Sequence, residues 1–561
     1  MKNYYWVIIL LAFIGSRHTQ LNAQPAPVKA AAKTVFTLTT FNADGTILAS
    51  SHGVFIGSNG EAISDLTPFL GAAKAVVVDA NGKKMDVERM MGVNSMYDLA
   101  KFRVSGKTTA AQPAPSAAAV GSQAWLLPYA YSKNDSKAST APIETRVKGV
   151  ETFMEKYPFY IFDTQIPENV SACPFVNAQG QVLGLLQLTQ SGDNLHAPSA
   201  KFIDDQQVNA ISINDATFSR IGIPPALPTK LEDAQLALMV SGNDAAKHAA
   251  LTEDFIQQYP NLPDGYQARA QIEMAANKFD DAARDMSVVI KNSEKKDEAY
   301  FNYGQLIYNK LIYNPQQPYA AWTYDTAMEQ ADKAYSINPL PVYKHLQAQI
   351  NFSKGNYQKA HDMFMELTNS NLRSPEVFYE AAHAQQMLNP KDTAFIALID
   401  SAIVNCDSIN HTNPAPYILA RAQAWETAGY YRKAVNDYGI YGLIMRPQLT
   451  SNFYYVREQC EVKAKLFQQA LIDINTAIAL DQQNVLYYAE KANLLLRVNQ
   501  LDAAITVAEQ CIGLEPEYSD GYLVLGLAQI QNKRKSEGLR NLERARDLGN
   551  PQAQPLIDKY K

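Results

Sequence analysis

Apolar and polar residues alternate from Thr34 to Phe41, in the order Thr-Val-Phe-Thr-Leu-Thr-Thr-Phe. That is the period of a strand with one buried face. Comparable β-rich runs follow, separated by Gly, Asn and Asp turns. They are His52 to Ile56 before Gly57-Ser58-Asn59-Gly60, Ala75 to Val78 before Asn81-Gly82, Gln123 to Leu127, Phe159 to Thr164 and Val182 to Leu188. Many short strands with frequent turn signals predict a barrel or sandwich. Ala110 to Ala119 reads as a loose Ala/Pro/Ser connection, and Ile223-Pro224-Pro225-Ala226-Leu227-Pro228 marks a linker over 223–230, because proline fixes φ. Beyond it, over 231–561, the period becomes helical and stays so.

The helical half repeats. Ala470 and Ala477, Ala504 and Cys511, and Gly538 and Ala545 form pairs seven apart, each 34 residues after the last. Tyr454, Tyr488 and Tyr522 keep the same interval. Weaker copies are Lys278-Phe279-Asp280-Asp281-Ala282, Asn356-Tyr357-Gln358-Lys359-Ala360 and Tyr430-Tyr431-Arg432-Lys433-Ala434, which match Leu466-Phe467-Gln468-Gln469-Ala470. The pattern resembles tetratricopeptide repeats, helix hairpins of about 34 residues. The resemblance implies an all-α solenoid of about eight units, clearest at 451–552 and enlarged near 297–340 and 375–412. It also implies a concave groove, lined by first helices, that binds a protein or peptide partner. Tyr455, Gln459, Lys463, Leu496 and Leu527 are expected to face it, with Asn493 and Arg497 as the candidate peptide-binding residues.

Composition narrows the function. The 561 residues are 47% hydrophobic and 19% charged, which fits a globular multidomain chain rather than a disordered one. The net charge is -6 and Lys533-Arg534-Lys535 is the one tight basic run, so nucleic acid is not an expected partner. Lys2, the apolar stretch from Tyr4 to Ile14 and Leu21-Asn22-Ala23 read as a signal peptide over 1–23, cut near Ala23. Export to the periplasm or exterior, with no membrane anchor left after cleavage, is the expectation. Cys173, Cys406, Cys460 and Cys511 are too irregularly spaced for a disulfide framework, and no Cys/His cluster has metal-ligand spacing. No cofactor is expected.

Ser171-Ala172-Cys173-Pro174-Phe175-Val176-Asn177, followed by Gly180-Gln181-Val182-Leu183-Gly184, resembles the nucleophile turn of trypsin-like serine proteases of the HtrA type. Tyr97-Asp98-Leu99-Ala100-Lys101-Phe102 resembles their triad-aspartate segment, and Gly53 to Gly60 their glycine-bearing strand. The resemblance covers about 34–222 and implies an all-β double barrel. It assigns the nucleophile position to Ser171 and the aspartate position to Asp98. The histidine position falls on Thr67, in a segment without histidine. A threonine hydroxyl does not titrate near neutral pH and cannot serve as general base. Asn169 replaces the glycine whose N–H would serve the oxyanion hole. His52 and His196 are the candidates for a relocated base; Cys173 lacks a basic partner and reads as a buried thiol. The expectation is a non-catalytic adaptor, with an exported serine endopeptidase using Ser171 and a relocated base as the alternative.

Overall fold

A computed structural model describes residues 24–129, 141–153, 157–165, 170–187, 195–204, 208–209, 212–407 and 412–561. The leader expected over 1–23, and Asn169, lie outside the described residues. The chain divides into two compact units, Met1–Glu294 and Lys295–Lys561.

The first unit opens with a short helix, α1 (Ala26–Ala31), and then builds two six-stranded sheets. In the first, β1 (Val35–Phe41), β2 (Ile47–Phe55), β3 (Glu61–Ser64), β4 (Lys74–Val78), β5 (Lys84–Asn94) and β6 (Leu99–Val104) close into a barrel in the order β1-β2-β3-β6-β5-β4. The alternation in β1 sends Phe36 and Leu38 inward, where they meet Phe55, Phe69, Met90 and Phe102. Gly53 is required by close approach. A Cβ there would stand 2.3 Å from the Ile63 carbonyl oxygen and 2.5 Å from the Phe36 ring, distances at which no side chain fits.

The second sheet runs β11-β10-β7-β8-β9-β12, from β7 (Gln123–Leu126), β8 (Ile143–Phe153), β9 (Tyr157–Phe162), β10 (Pro174–Val176), β11 (Val182–Leu185) and β12 (Leu195–Pro198). Bridges Gly184–Ser199 and Gln187–His196 bring its two ends together, so the sheet is barrel-like. Phe162 and Phe175 stack inside it at 3.9 Å. Between the barrels lies a second apolar layer of Val54, Ile63, Tyr97, Trp125, Val182 and Phe202. That layer holds the ends of β3 and β6 beside the turn before β10, which is where the candidate site forms.

The proline-rich segment lies along β5. Met90 N–H donates to the Pro224 oxygen at 2.9 Å and Ala226 N–H to the Met90 oxygen at 2.7 Å. Proline lacks a donor but keeps its carbonyl, so the segment can still be laced to a strand. Four helices complete the unit: α2 (Leu231–Val240), α3 (Ala245–Gln258), α4 (Pro263–Ala275) and α5 (Phe279–Asn292). Leu251 and Phe255 of α3 join the apolar core of the first barrel. Arg89 of β5 binds both carboxylate oxygens of Asp254, at 2.7 and 2.9 Å.

The second unit is all-helical. Among the described residues it holds α6 (Lys296–Tyr313), α7 (Tyr324–Ile337), α8 (Pro341–Ser353), α9 (Tyr357–Leu367), α10 (Pro375–Leu388), α11 (Ile396–Val404), α12 (Ala415–Thr427) and α13 (Tyr431–Met445). After these come α14 (Ser451–Lys463), α15 (Phe467–Leu480), α16 (Val485–Arg497), α17 (Leu501–Leu514), α18 (Ser519–Gln531), α19 (Lys535–Asp547) and α20 (Ala553–Tyr560). Each helix packs on the next, an arrangement compatible with a solenoid. The small residues of the 34-residue period are the contact points. Ala470, Ala477, Ala504, Cys511 and Ala545 are fully buried, and a Cβ on Gly538 would lie 2.5 Å from the Gly526 oxygen of the facing helix.

A second device recurs that the spacing analysis missed. Arg269 on α4 grips Asp285 on α5, Arg421 on α12 grips Asp437 on α13, and Arg457 on α14 grips Asp473 on α15. Each pair is 16 residues apart, bidentate, with the carboxylate buried. A planar guanidinium matches a carboxylate in this way and fixes the angle between two helices.

Candidate functional site

Thr67 opens the turn after β3, and Asp98 precedes β6, so pairing of β3 with β6 delivers both to one place. The Thr67 backbone N–H and hydroxyl both donate to Asp98 Oδ1, at 2.7 and 2.8 Å. Leu66 N–H donates to the Asp98 carbonyl oxygen at 3.1 Å. Asp98 has a left-handed backbone, φ +50°, which aspartate tolerates better than most residues because its short side chain bonds locally. The carboxylate therefore caps the Thr67 turn.

Ser171 lies in the turn leading into β10. Ala172 follows with φ +56°, a left-handed conformation uncommon for a residue that carries a side chain. Its N–H donates to the Leu186 oxygen at 3.0 Å, and Cys173 N–H donates to the Val170 oxygen at 3.1 Å. The turn is thus held by main-chain bonds, with the methyl of Ala172 buried.

His52 is the imidazole that approaches this turn. It stands on β2, half-buried, with Nδ1 3.1 Å from the Ser171 carbonyl oxygen. Burial lowers its pKa against that bond. A carbonyl only accepts, so the ring is fixed as the Nδ1–H tautomer. The contact is to the main chain; none of the described side chains is bonded to the Ser171 hydroxyl. His196 sits on β12 opposite Ile161, its ring 5.5 Å from Phe159.

Two further groups stand near these turns. Burial, followed by the neighbouring Asp98 charge, pushes the Asp65 carboxyl up to about 6, although hydrogen bonding to Ser64 opposes it. Ser64 Oγ is 2.9 Å from Asp65 Oδ1 and 2.5 Å from the His52 carbonyl oxygen. Cys173 is fully buried, and burial pushes its thiol up to about 12, which leaves it without thiolate at neutral pH. Sequence reasoning did not single out Asp65, which touches Ser64 and stands two residues before Thr67.

In the helical unit, Asn493 is half-buried and Arg497 exposed, one turn apart on α16. Neither side chain is hydrogen-bonded among the described residues. Arg497 acts through charge: it holds down the Glu458 carboxyl, which burial and the Glu490 charge push up to about 7. Of the other groove candidates, Lys463 is committed to Glu426 at 2.9 Å and Gln459 to Glu458 at 2.8 Å. Tyr455 packs 5.4 Å from Tyr487, Leu527 lies in the apolar cluster with Tyr522, and Leu496 in that with Tyr488.

Cys173, Cys406, Cys460 and Cys511 are free thiols. Among the described residues no group of three His, Cys, Asp or Glu is placed to hold a metal ion, and no helix is long and apolar enough to cross a membrane. The fold and the site together define a two-part protein, two barrel-like sheets with an Asp98-capped Thr67 turn and an array of helices. No protein-family model matches the chain, and no curated protein shows significant similarity to it.

Proposed function

We propose that this protein is an exported, non-catalytic adaptor. In this reading a trypsin-like barrel pair has lost its protease chemistry, and a tetratricopeptide-type array binds a protein or peptide segment. The observation that carries it is the Thr67 hydroxyl seated on Asp98 at 2.8 Å. In an active triad the aspartate orients an imidazole, which takes the proton of the serine. A threonine in that seat occupies Asp98 Oδ1 and offers no base, so the serine stays a weak nucleophile. The barrel cleft is left to bind an extended segment by strand addition, which needs no triad. Asn493 and Arg497 are the polar positions of the helical groove with which a peptide would bond.

The net charge of -6 speaks for a protein rather than a nucleic-acid partner. Incubation of wild type and Ser171→Ala with a denatured-protein peptide library, read by mass spectrometry, tests the adaptor reading. Identical peptide profiles support it; cleavages present only with wild type sink it.

A second reading, an exported serine endopeptidase, draws on His52. Its ring reaches the Ser171 main chain at 3.1 Å, and the Nδ1–H tautomer leaves Nε2 as a basic nitrogen. On this reading His52→Ala and Ser171→Ala would both abolish wild-type cleavages. Cleavage that survives His52→Ala rejects the relocated base.

A further inference from the structure

The exposed face of α13 and α15 carries a groove of about 710 Å³, floored by Arg457 and Glu461 of α14 and edged by Ile440, Leu443 and Ile472. It runs on into a neighbouring groove of about 400 Å³, with which it shares Arg432 and Asn436. The two are successive copies of one design. Arg421, Trp425, Lys433 and Asp437 in the smaller groove stand at the same positions as Arg457, Glu461, Gln469 and Asp473, 36 residues on.

In the smaller groove the chain supplies its own cation. The Lys433 ammonium sits 4.1 Å from the centre of the Trp425 ring. In the larger groove the corresponding positions hold a carboxyl, Glu461, and a neutral amide, Gln469. The Glu461 side chain is 5% exposed, its Oε1 is 4.0 Å from Arg457 Nε, and its Oε2 has no hydrogen-bond partner among the described residues. Arg457 offers little more, because its guanidinium is already spent on both oxygens of Asp473, at 2.5 and 2.7 Å. A buried carboxyl oxygen with no donor is costly to leave so, and lining a groove makes it a seat for a donor from outside. Beside it, Leu443 is 75% exposed and Ile472 65% exposed, more apolar surface than an unoccupied groove edge favours.

We propose that this groove binds an extended segment of a partner protein in which a lysine is flanked by apolar residues. The ammonium sits over Glu461, as Lys433 sits over Trp425, and the apolar neighbours cover Ile440, Leu443 and Ile472. Charge complementarity selects this occupant, since a carboxyl and a neutral amide stand where the sister groove places Trp425 and the Lys433 cation. The continuity of the two grooves suits an extended chain rather than a compact small molecule. The site lies on α13 to α15 and is separate from Asn493 and Arg497 on α16.

Proton linkage provides a second readout. Burial, with the Asp473 charge next and Glu458 beyond, raises the Glu461 carboxyl to about 8 against the pull of Arg457. An incoming ammonium requires the ionised form, so binding releases a proton at neutral pH. Affinity then rises with pH, by at most about tenfold per unit, until Glu461 is ionised in the free protein.

The experiment uses the full-length protein and two fluorescein-labelled nonapeptides, read by fluorescence anisotropy. One carries a single lysine between leucines on an alanine–serine background; its twin has norleucine for lysine. The expected result is about tenfold or more tighter binding of the lysine peptide, with affinity rising from pH 6 to pH 8. Glu461→Gln removes both the preference and the pH dependence. Leu443→Asp, at a position too exposed to disturb folding, weakens both peptides about tenfold or more. No binding of the lysine peptide at millimolar concentration, equal binding of the twins to wild type, or a preference that survives Glu461→Gln overturns the proposal. So does self-association of the protein that Leu443→Asp abolishes and the lysine peptide does not compete.

Discussion

The Thr67 turn of the barrel and the helix hairpins both depend on a carboxylate held by a partner across a fold element, and they treat it oppositely. In the turn, Asp98 accepts from the backbone and hydroxyl of exposed Thr67. In the hairpins, Asp285, Asp437 and Asp473 each accept two bonds from an arginine while almost wholly buried. The first arrangement caps a turn and is worth what a cap is worth, about 1 kcal/mol. The second fixes a helix pair, and losing one partner strands a charge out of water. A carboxylate can thus be held in place for a modest structural gain, and its presence beside a serine turn alone is no argument for chemistry.

That contrast can be broken by mutation. The largest effect is expected from Asp473→Ala, which leaves Arg457 facing Glu461 alone in the floor of its hairpin. We expect a loss of about 3 kcal/mol in urea unfolding followed by circular dichroism. A loss below about 1 kcal/mol, the size of a cap, would erase the distinction between the two regions.

Next come two pH effects of the same sign. The folded-state carboxyls of Glu461 and Asp65 are raised, to about 8 and about 6, above unfolded values of about 4.3 and 3.9. Each stabilises the fold relative to its ionised form at low pH. That contribution is lost as pH rises through about 4 to 8 for Glu461 and about 4 to 6 for Asp65. Glu461→Gln is expected to gain stability relative to wild type between pH 5 and pH 9. Asp65→Asn is expected to gain its share by pH 7 and no more above it. Parallel stability–pH curves for variant and wild type would contradict either assignment.

Smaller still is Asp98→Ala, expected to cost about 1 kcal/mol by freeing the Thr67 turn. Thr67→Val keeps the backbone bond and deletes only the hydroxyl bond, so its cost should be about half of that. If Thr67→Val equals Asp98→Ala, the hydroxyl rather than the main-chain N–H is what the carboxylate holds.

Much of this architecture was legible in the sequence because it is local. The alternation of Thr34 to Phe41 and the glycine-marked turns gave strands close to those observed, and the 34-residue spacing of Ala470, Ala504 and Gly538 pointed to helices in close contact. Contacts between distant segments were not legible. His52 meets Ser171 across 119 residues, through the packing of two separate sheets. The segment 223–228, rich in proline, looked like a spacer, yet its Pro224 carbonyl and Ala226 N–H both bond Met90 on β5. The Arg–Asp pairs were within reach of a spacing search, since all three are 16 apart. Their arginines differ in local context, which hides them from a search for small residues and aromatics. Of the candidate site, Thr67 and Asp98 were singled out by the resemblance, but their hydrogen bond appears only in the fold; the half-buried Asp65 beside them was not singled out, because burial is a property of the closed barrel.

The most direct test of the account is intact-mass analysis of the full-length protein after saturating treatment with a fluorophosphonate, beside Ser171→Ala as control. A folded wild-type protein that gains no adduct would match the prediction of a serine without a base. A single adduct that disappears in Ser171→Ala would contradict it, and would make the His52 ring the first place to look for the proton acceptor.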